Sequence, residues 1–164
     1  MPTQRTRSFP RLRRARAGDL EALVALEQAS FAGDRMSARQ WRRHVASPRA
    51  IAIVAVEGER LLGVALVFTH AAHDIARLYS LATAEDARGR GIGDRLVAAV
   101  ERAAGAAGRR RLRLEVREDN RAAQRLYERR GFRRIGRRAG YYEDGEDALR
   151  YEKAIGDRAV TSMR

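Results

Sequence analysis

The stretch Arg88-Gly89-Arg90-Gly91-Ile92-Gly93 limits what this chain can fold into more than any other. An apolar run, Ile75 to Thr83, leads into it, and an amphipathic one, Asp94 to Ala104, leaves it. Strand, glycine-rich turn and helix in that order make an α/β unit, and they also seat a phosphate. Glycines carry no side chain, so backbone N–H groups can close on phosphate oxygens. The helix that follows aims its positive end at the same place. Two other phosphate loops do not fit. A Walker loop needs Lys-Ser or Lys-Thr after its last glycine, and Ile92-Gly93-Asp94 supplies neither. A dinucleotide fingerprint needs the spacing G-x-G-x-x-G, which Gly89, Gly91 and Gly93 do not have. The bland alternative is a left-handed glycine turn with basic decoration.

The rest of the chain extends the α/β pattern. Leu12 to Ala15 reads as a first strand. Asp19 is placed to cap a helix running to about Ala29. Ser37 and Gln40 have capping-box spacing, which predicts a helix over Ala38 to Val45, ended by Ser47-Pro48. Ala50–Val56 and Leu61–Phe68 flank Glu57-Gly58-Glu59-Arg60 as a hairpin, and Ile75–Thr83 adds a third strand. Leu112, Leu114 and Val116 alternate with Arg113, Glu115 and Arg117, the pattern of a half-buried strand. Asp119 or Asn120 opens another helix, Gly131 stops it, and Phe132–Ile135 and Ala148–Ala154 close the chain as strands. Counting elements gives an α/β sheet of about seven strands with flanking helices.

At 164 residues the chain suits one domain with its own core. It has no cysteine, so disulfides, thiolate metal sites and a cysteine nucleophile are excluded. His70 and His73 could share a turn, but no acidic cluster stands beside them, and no metal site is expected. The start, Met1-Pro2-Thr3-Gln4-Arg5, opens no apolar core of a signal peptide, and the longest apolar runs are too short for a membrane span. The expected place is the cytoplasm, with no membrane contact. The net charge is +13, yet Lys153 is the only lysine. Coding bias in a GC-rich genome explains that arginine excess as well as a polyanion partner does. Either way the charge draws anionic ligands at low salt. The densest basic run, Arg121, Arg125, Arg129, Arg130, Arg133, Arg134, Arg137 and Arg138, reads as a solvated face, as a clamp for a cofactor's 3′-phosphate, or as a contact with ribosomal RNA or another polyanion.

Read as R-x-x-G-x-G, with Arg88, Gly91 and Gly93 in the fixed positions, the glycine turn resembles motif A of the GNAT (GCN5-related N-acetyltransferase) superfamily. Leu78-Tyr79-Ser80-Leu81-Ala82-Thr83 stands where those enzymes put the strand that pairs with pantetheine. Leu114-Glu115-Val116-Arg117-Glu118-Asp119-Asn120, then Ala122, Leu126-Tyr127 and Gly131-Phe132, resembles the closing signature E-V-R-x-x-N…A…L-Y…G-F. Tyr141-Tyr142 with Glu146-Asp147-Ala148 resembles the tail of the RimI-type branch, which acetylates protein N-termini. The chain departs from the pattern at Glu85-Asp86, where a proline is common, and matches it only loosely over Phe31–Ser37.

The resemblance implies the GNAT acyl-CoA N-acyltransferase fold over residues 10–155, with 1–9 and 156–164 as flexible tails. It implies acetyl-CoA as co-substrate, held by Leu81, Ala82 and Thr83 along pantetheine and by Arg88, Gly89, Arg90, Gly91, Ile92, Gly93 and Asp94 at the pyrophosphate. Asn120 would touch the cofactor too, though an N-cap role explains it equally. Glu115 corresponds to the general base and Tyr127 to the general acid. On their residues alone, Glu115 could be a surface ion-pair partner and Tyr127 a core aromatic. Arg113 and Arg117, on the same strand face as Glu115, are expected to keep it ionised. The acceptor implied is a protein N-terminal α-amine. A small-molecule amine acetyltransferase, and a basic ribosome- or nucleic-acid-binding protein that only holds acetyl-CoA, are the alternatives.

Overall fold

The computed structural model describes residues 9–70 and 72–156. One mixed sheet of seven strands runs through them in the order β1-β2-β3-β4-β5-β7-β6. The strands are β1 (Arg11–Arg14), β2 (Ala50–Glu57), β3 (Arg60–Phe68), β4 (Ile75–Thr83), β5 (Arg111–Arg117), β6 (Arg133–Arg138) and β7 (Ala148–Ala154). Only β4 and β5 pair in parallel. That connection needs a crossover, and the glycine turn with helix α3 (Ile92–Ala106) supplies it.

Helices cover both faces. On one side α1 (Leu20–Ser30) and α2 (Ala38–Ala46) bury Leu23, Leu26 and Trp41 against Val54, Val64, Leu66 and Ala82. On the other, α3 packs Leu96, Val97 and Val100 against Ile53, Ala65, Leu78 and Leu112. Tyr127 of α4 (Arg121–Arg129) joins that second core. β2 and β3 lie under both layers, which is why their sequences are nearly continuous apolar runs. α1 and α2 reach β2, β3 and the end of β4 and no further. The same face of β5 and β7 is therefore free to carry charged residues.

Local signals act as expected in most places. The capping box closes in both directions: Gln40 N–H donates to Ser37 Oγ at 3.1 Å, and Ser37 N–H to Gln40 Oε1 at 2.8 Å. The hairpin turns on Gly58, with φ +62°. Three departures from expectation have a clear physical reason. Helix α3 starts at Ile92, because Gly91 is left-handed (φ +76°) and hands the chain straight into the helix. Asp19 caps a short turn before α1, accepting the Arg16 N–H and the fork of Arg13, rather than the helix itself. Phe132 is not part of β6; it is buried edge-on against the Tyr127 ring, centroids 5.6 Å apart. The tails expected at 1–9 and 156–164 lie outside the described residues, apart from exposed Phe9 and Gly156.

One irregularity positions everything that follows. Where β3 pairs β4 the register slips between Leu66 and Val67, so Tyr79 is an extra residue in β4. Such a bulge bends the strand that carries it. On the other side of β4, pairing with β5 begins at Ile75↔Arg111 and ends at Leu78↔Leu114, although both strands run on. β4 and β5 part just past the bulge, leaving a wedge in the middle of the sheet.

Candidate active site

A cavity of about 870 Å³ fills the wedge. It passes through the sheet. On the α3/α4 side it is lined by Asn120, Ala123 and Tyr127; on the other by Arg77, Glu115, Tyr141 and the α1–α2 loop. Leu78 to Leu81 form the β4 wall. The backbone groups on the β5 side of Tyr79–Thr83 have no strand partner. They are polar groups waiting for an extended polar chain.

Where the wedge opens beside α3, the first turn of that helix presents its own unpaired N–H groups. Its N-cap is Gly91, so no side chain takes them up. Gly89 (φ +78°) and Gly91 have open space where a Cβ would stand. Gly93 differs: a Cβ there would meet Leu126 Cδ1 at 3.0 Å, so its bare Cα admits α4 against α3. Its N–H remains one of the free donors of the first turn. Arg90 reaches back to Glu57 at 2.5 Å, and Asp94 holds Arg129 at 3.3 Å. Of the residues expected to hold the cofactor, Leu81 and Asn120 line the wedge; Ala82, Thr83 and Arg88–Asp94 stand outside the cavity, along its β4–α3 flank. Unpaired strand edge, left-handed glycine and uncapped helix end together fit a long polar arm with a phosphate at one end.

Glu115 projects into the wedge with its side chain only 9% exposed, which is not the setting of a surface ion pair. Its expected partners are wrong. Arg113 turns to buried Glu152 at 2.6 Å, and Arg117 to Asp144 at 2.5 Å and Asp119 at 3.3 Å. Glu115 is met instead from the neighbouring strands: Arg77 of β4 donates from Nε at 3.0 Å, and Arg150 of β7 stands 3.9 Å away. Arg150 is directly opposite Glu115 in the β5–β7 register, and Arg77 is diagonal to it across β4–β5. Neither partner lies on β5, so the alternation along that strand marks neither. The signal that could have found Arg77 is an arginine inside the otherwise apolar start of β4, Ile75-Ala76-Arg77-Leu78.

Tyr127 lies on the opposite wall. Its ring is buried between Phe132 and Tyr151. Burial, with a smaller contribution from Tyr142, pushes its phenol well above the ordinary range, so it stays protonated at any physiological pH. Tyr142, at the cavity mouth, is pushed up to about 12 by burial first and Tyr141 next. Asn120 is a helix cap that also faces the cavity. Its Oδ1 accepts the Ala123 N–H at 3.1 Å as N-cap of α4, and it lines the wedge.

The mouth is built from two loops that meet. In the α1–α2 loop Asp34 takes a positive φ of 53°, which aspartate tolerates, and its Oδ2 accepts the Glu143 N–H of the β6–β7 loop at 3.4 Å. Behind it, buried Glu27 accepts the Met36 N–H at 2.9 Å and pins the loop to α1. A second cavity, of about 490 Å³, lies between α1 and residues 84–88; Arg88 is the one expected cofactor residue that lines it, and its Arg60 and Asp86 are already paired. Among the described residues no cluster of metal-ligating side chains occurs, and no helix is long and apolar enough to cross a membrane.

Residues 20–132 match the model of the Acetyltransferase (GNAT) family. The chain is 30% identical over 139 residues to a Bacillus subtilis (strain 168) protein provisionally named ribosomal protein bS18-alanine N-acetyltransferase, over 84% of this chain and 91% of that one. Among solved structures it resembles the ribosomal-protein-S18-alanine N-acetyltransferase from Escherichia coli, with TM-score 0.81 and 26% identity over 90% of this chain and 95% of that one. The fold is also that of Arabidopsis thaliana NAA60 in complex with a bisubstrate analogue, with TM-score 0.80 and 22% identity over 89% of this chain and 98% of that one.

Proposed function

The chain belongs to the GNAT acetyltransferase family and is an N-acetyltransferase of its RimI-type branch, and from that premise we propose that it acetylates the α-amine at a protein's N-terminus. The observation that carries this reading is one cavity, lined from both faces of the sheet, with a carboxylate on one wall and a buried phenol on the other. A thioester arm can lie on one side and an amine arrive from the other.

The family's acetyl-CoA supplies an activated acetyl group. The turn Arg88–Asp94, through the free N–H groups at the start of α3, would take its pyrophosphate, and the free edge at Leu81, Ala82 and Thr83 its pantetheine. Asn120, fixed by its own capping bond, has an amide left to offer. Glu115 accepts the proton that the acceptor's ammonium must lose before its nitrogen can attack the thioester. An α-amine, with reference pKa about 7.8, gives that proton up far more readily than a lysine at about 10.4, which suits a single carboxylate held by two guanidinium groups. Tyr127 keeps a proton at the wall facing the leaving sulfur, where a thiolate can collect it. The site of action is cytoplasmic. The bS18 acceptor in the names of its relatives makes the N-terminus of a ribosomal protein the first peptide to try.

Turnover of acetyl-CoA against three acceptor sets tests the proposal: peptides with a free N-terminus, the same peptides blocked at the N-terminus but carrying lysine, and small polyamines or aminoglycosides. Free N-termini are expected to react and the blocked peptides not. In Glu115→Gln the rate should fall about 10²–10⁴-fold, and the defect should shrink as pH rises past the amine's own pKa. Preference for small amines would overturn the acceptor while leaving the family intact.

A further inference from the structure

Among the described residues, Arg77 is the one side chain that hydrogen-bonds both Glu115 and the loop at the mouth of the wedge. Its Nε donates to Glu115 Oε2 at 3.0 Å. Its Nη2 donates to the hydroxyl of Tyr141, on the β6–β7 loop. The guanidinium lies 5.6 Å from the centre of the Tyr79 ring, the bulged residue of β4. Tyr141 in turn stands edge-on to Tyr142, centroids 5.0 Å apart, and Arg138 lies 5.8 Å from its ring.

This geometry needs arginine. A guanidinium has donors on separate edges of one rigid plane, so it can hold two acceptors that lie apart. A lysine ammonium is a point charge on a flexible stem and can serve one of them. The bulge at Tyr79 turns this part of β4 toward the wedge, and the ring gives the guanidinium a face to rest on. Arg150 also approaches Glu115, but at 3.9 Å and from the other side, and it does not reach the loop.

We propose that Arg77 is a positioning residue for acetyl transfer: one guanidinium fixes the carboxylate of Glu115 and, through Tyr141, the loop against which the acceptor lies. The inference rests on the reading of the wedge given above. Base and acceptor wall are then set by the same group, so a change at Tyr141 and a change at Arg77 are one perturbation and not two.

A double-mutant cycle on transfer to an N-terminal peptide tests this, with Arg77→Gln, Arg77→Lys, Tyr141→Phe and Arg77→Gln/Tyr141→Phe. Tyr141→Phe should raise the acceptor KM about three- to tenfold, the worth of one hydrogen bond, and lower kcat less. Arg77→Gln should raise the acceptor KM at least as much and also lower kcat about tenfold. The double variant should match Arg77→Gln in acceptor KM. Arg77→Lys should recover part of kcat and none of KM. The KM for acetyl-CoA should stay constant throughout. Acceptor KM effects that multiply, a loss below about twofold in Arg77→Gln, or an equal rise in the KM for acetyl-CoA would each overturn the proposal. Amide hydrogen exchange gives a readout that needs no turnover: residues 141–146 should exchange several-fold faster in both Arg77→Gln and Tyr141→Phe. Unchanged exchange removes the tether even if catalysis is affected. Failure of wild-type protein to acetylate any N-terminal peptide would count against the acceptor reading, and the exchange result would still decide the tether.

Discussion

Two carboxylates and a phenol in this molecule show how environment, not residue type, sets chemistry. Glu115 is nearly buried yet flanked by Arg77 and Arg150. Glu27 is buried with no cation in contact; the Met36 N–H is its one hydrogen bond, and neither its Oε2 nor the nearby Trp41 indole nitrogen has a partner in hydrogen-bonding geometry. Burial therefore holds the Glu27 carboxyl above its usual range, and the opposing pulls of the Met36 N–H, the Trp41 indole and Arg35 are outweighed. A folded value above the unfolded one, near 4.5, means that the fold prefers the protonated acid. The stability it contributes is full below about pH 4.5 and is lost as pH rises through the folded value. Glu27→Gln keeps a carbonyl for Met36 and cannot ionise, so the fall in the urea midpoint across that window should be shallower than in wild type. Parallel curves would remove Glu27 from the account. Tyr127 is the parallel case: burial keeps it, too, in its proton-bearing form. Tyr127→Phe retains the ring packed on Phe132 and Tyr151, so the fold and acetyl-CoA affinity should hold. The single-turnover rate should drop, and drop less with a thioester whose thiol is more acidic, because that thiolate leaves without help. An equal drop with both thioesters would make Tyr127 a residue that positions and does not protonate.

At the scale of elements, the β4–turn–α3 unit was legible from its residues, and the way β4 and β5 part was not. Glycines after an apolar strand announce the unit. The parting depends on a register slip against β3, and nothing in Leu78-Tyr79-Ser80 by itself marks Tyr79 as the extra residue. The same limit explains the misassigned partners of Glu115: alternation shows which residues share a face of one strand, and the ion pairs that form are set by the strands beside it. The α1–α2 loop, where motif matching was loosest, proves to be a wall of the cavity held by Glu27 and Asp34. The glycines of the turn also divide into two kinds that sequence could not separate. Gly91 is left-handed with space around it, while Gly93 sits in the helix with Leu126 against its Cα. Gly91→Val forces a β-branched residue into that conformation and should cost about 1–3 kcal/mol of stability along with acetyl-CoA binding. Gly93→Ala meets only the end of a leucine side chain and gains helix propensity, so its stability should stay within about 1 kcal/mol of wild type. Chemical denaturation with and without acetyl-CoA checks both. A Gly93→Ala protein that folds normally but has lost acetyl-CoA would show that close approach of the ligand, not helix packing, sets that position.

For the molecule as a whole, the question is whether an excess charge of +13 grips the ligand or merely draws it in. Part of the basic run is already answered internally. Arg130 and Lys153 share Glu101, Arg137 is held by Glu118 and Asp147, and Arg129 by Asp94. What remains is spread over the surface, where salt screens it: the Debye length falls from about 10 Å at 0.1 M to about 3 Å at 1 M. Contacts from backbone N–H groups at the start of α3 are short-ranged and escape most of that screening. Acetyl-CoA binding should therefore stabilise the fold in two separable parts. At a hundredfold excess over its dissociation constant, linkage gives about 2.7 kcal/mol, which in a domain of this size is roughly 5–10 °C in melting temperature. Adding salt at constant acetyl-CoA should reduce the shift as the general field is screened, then leave a plateau that belongs to the turn. Gly91→Val should have no plateau. A shift that vanishes entirely at high salt in the wild type would mean that charge alone holds the ligand, and that the uncapped helix end contributes nothing to its grip.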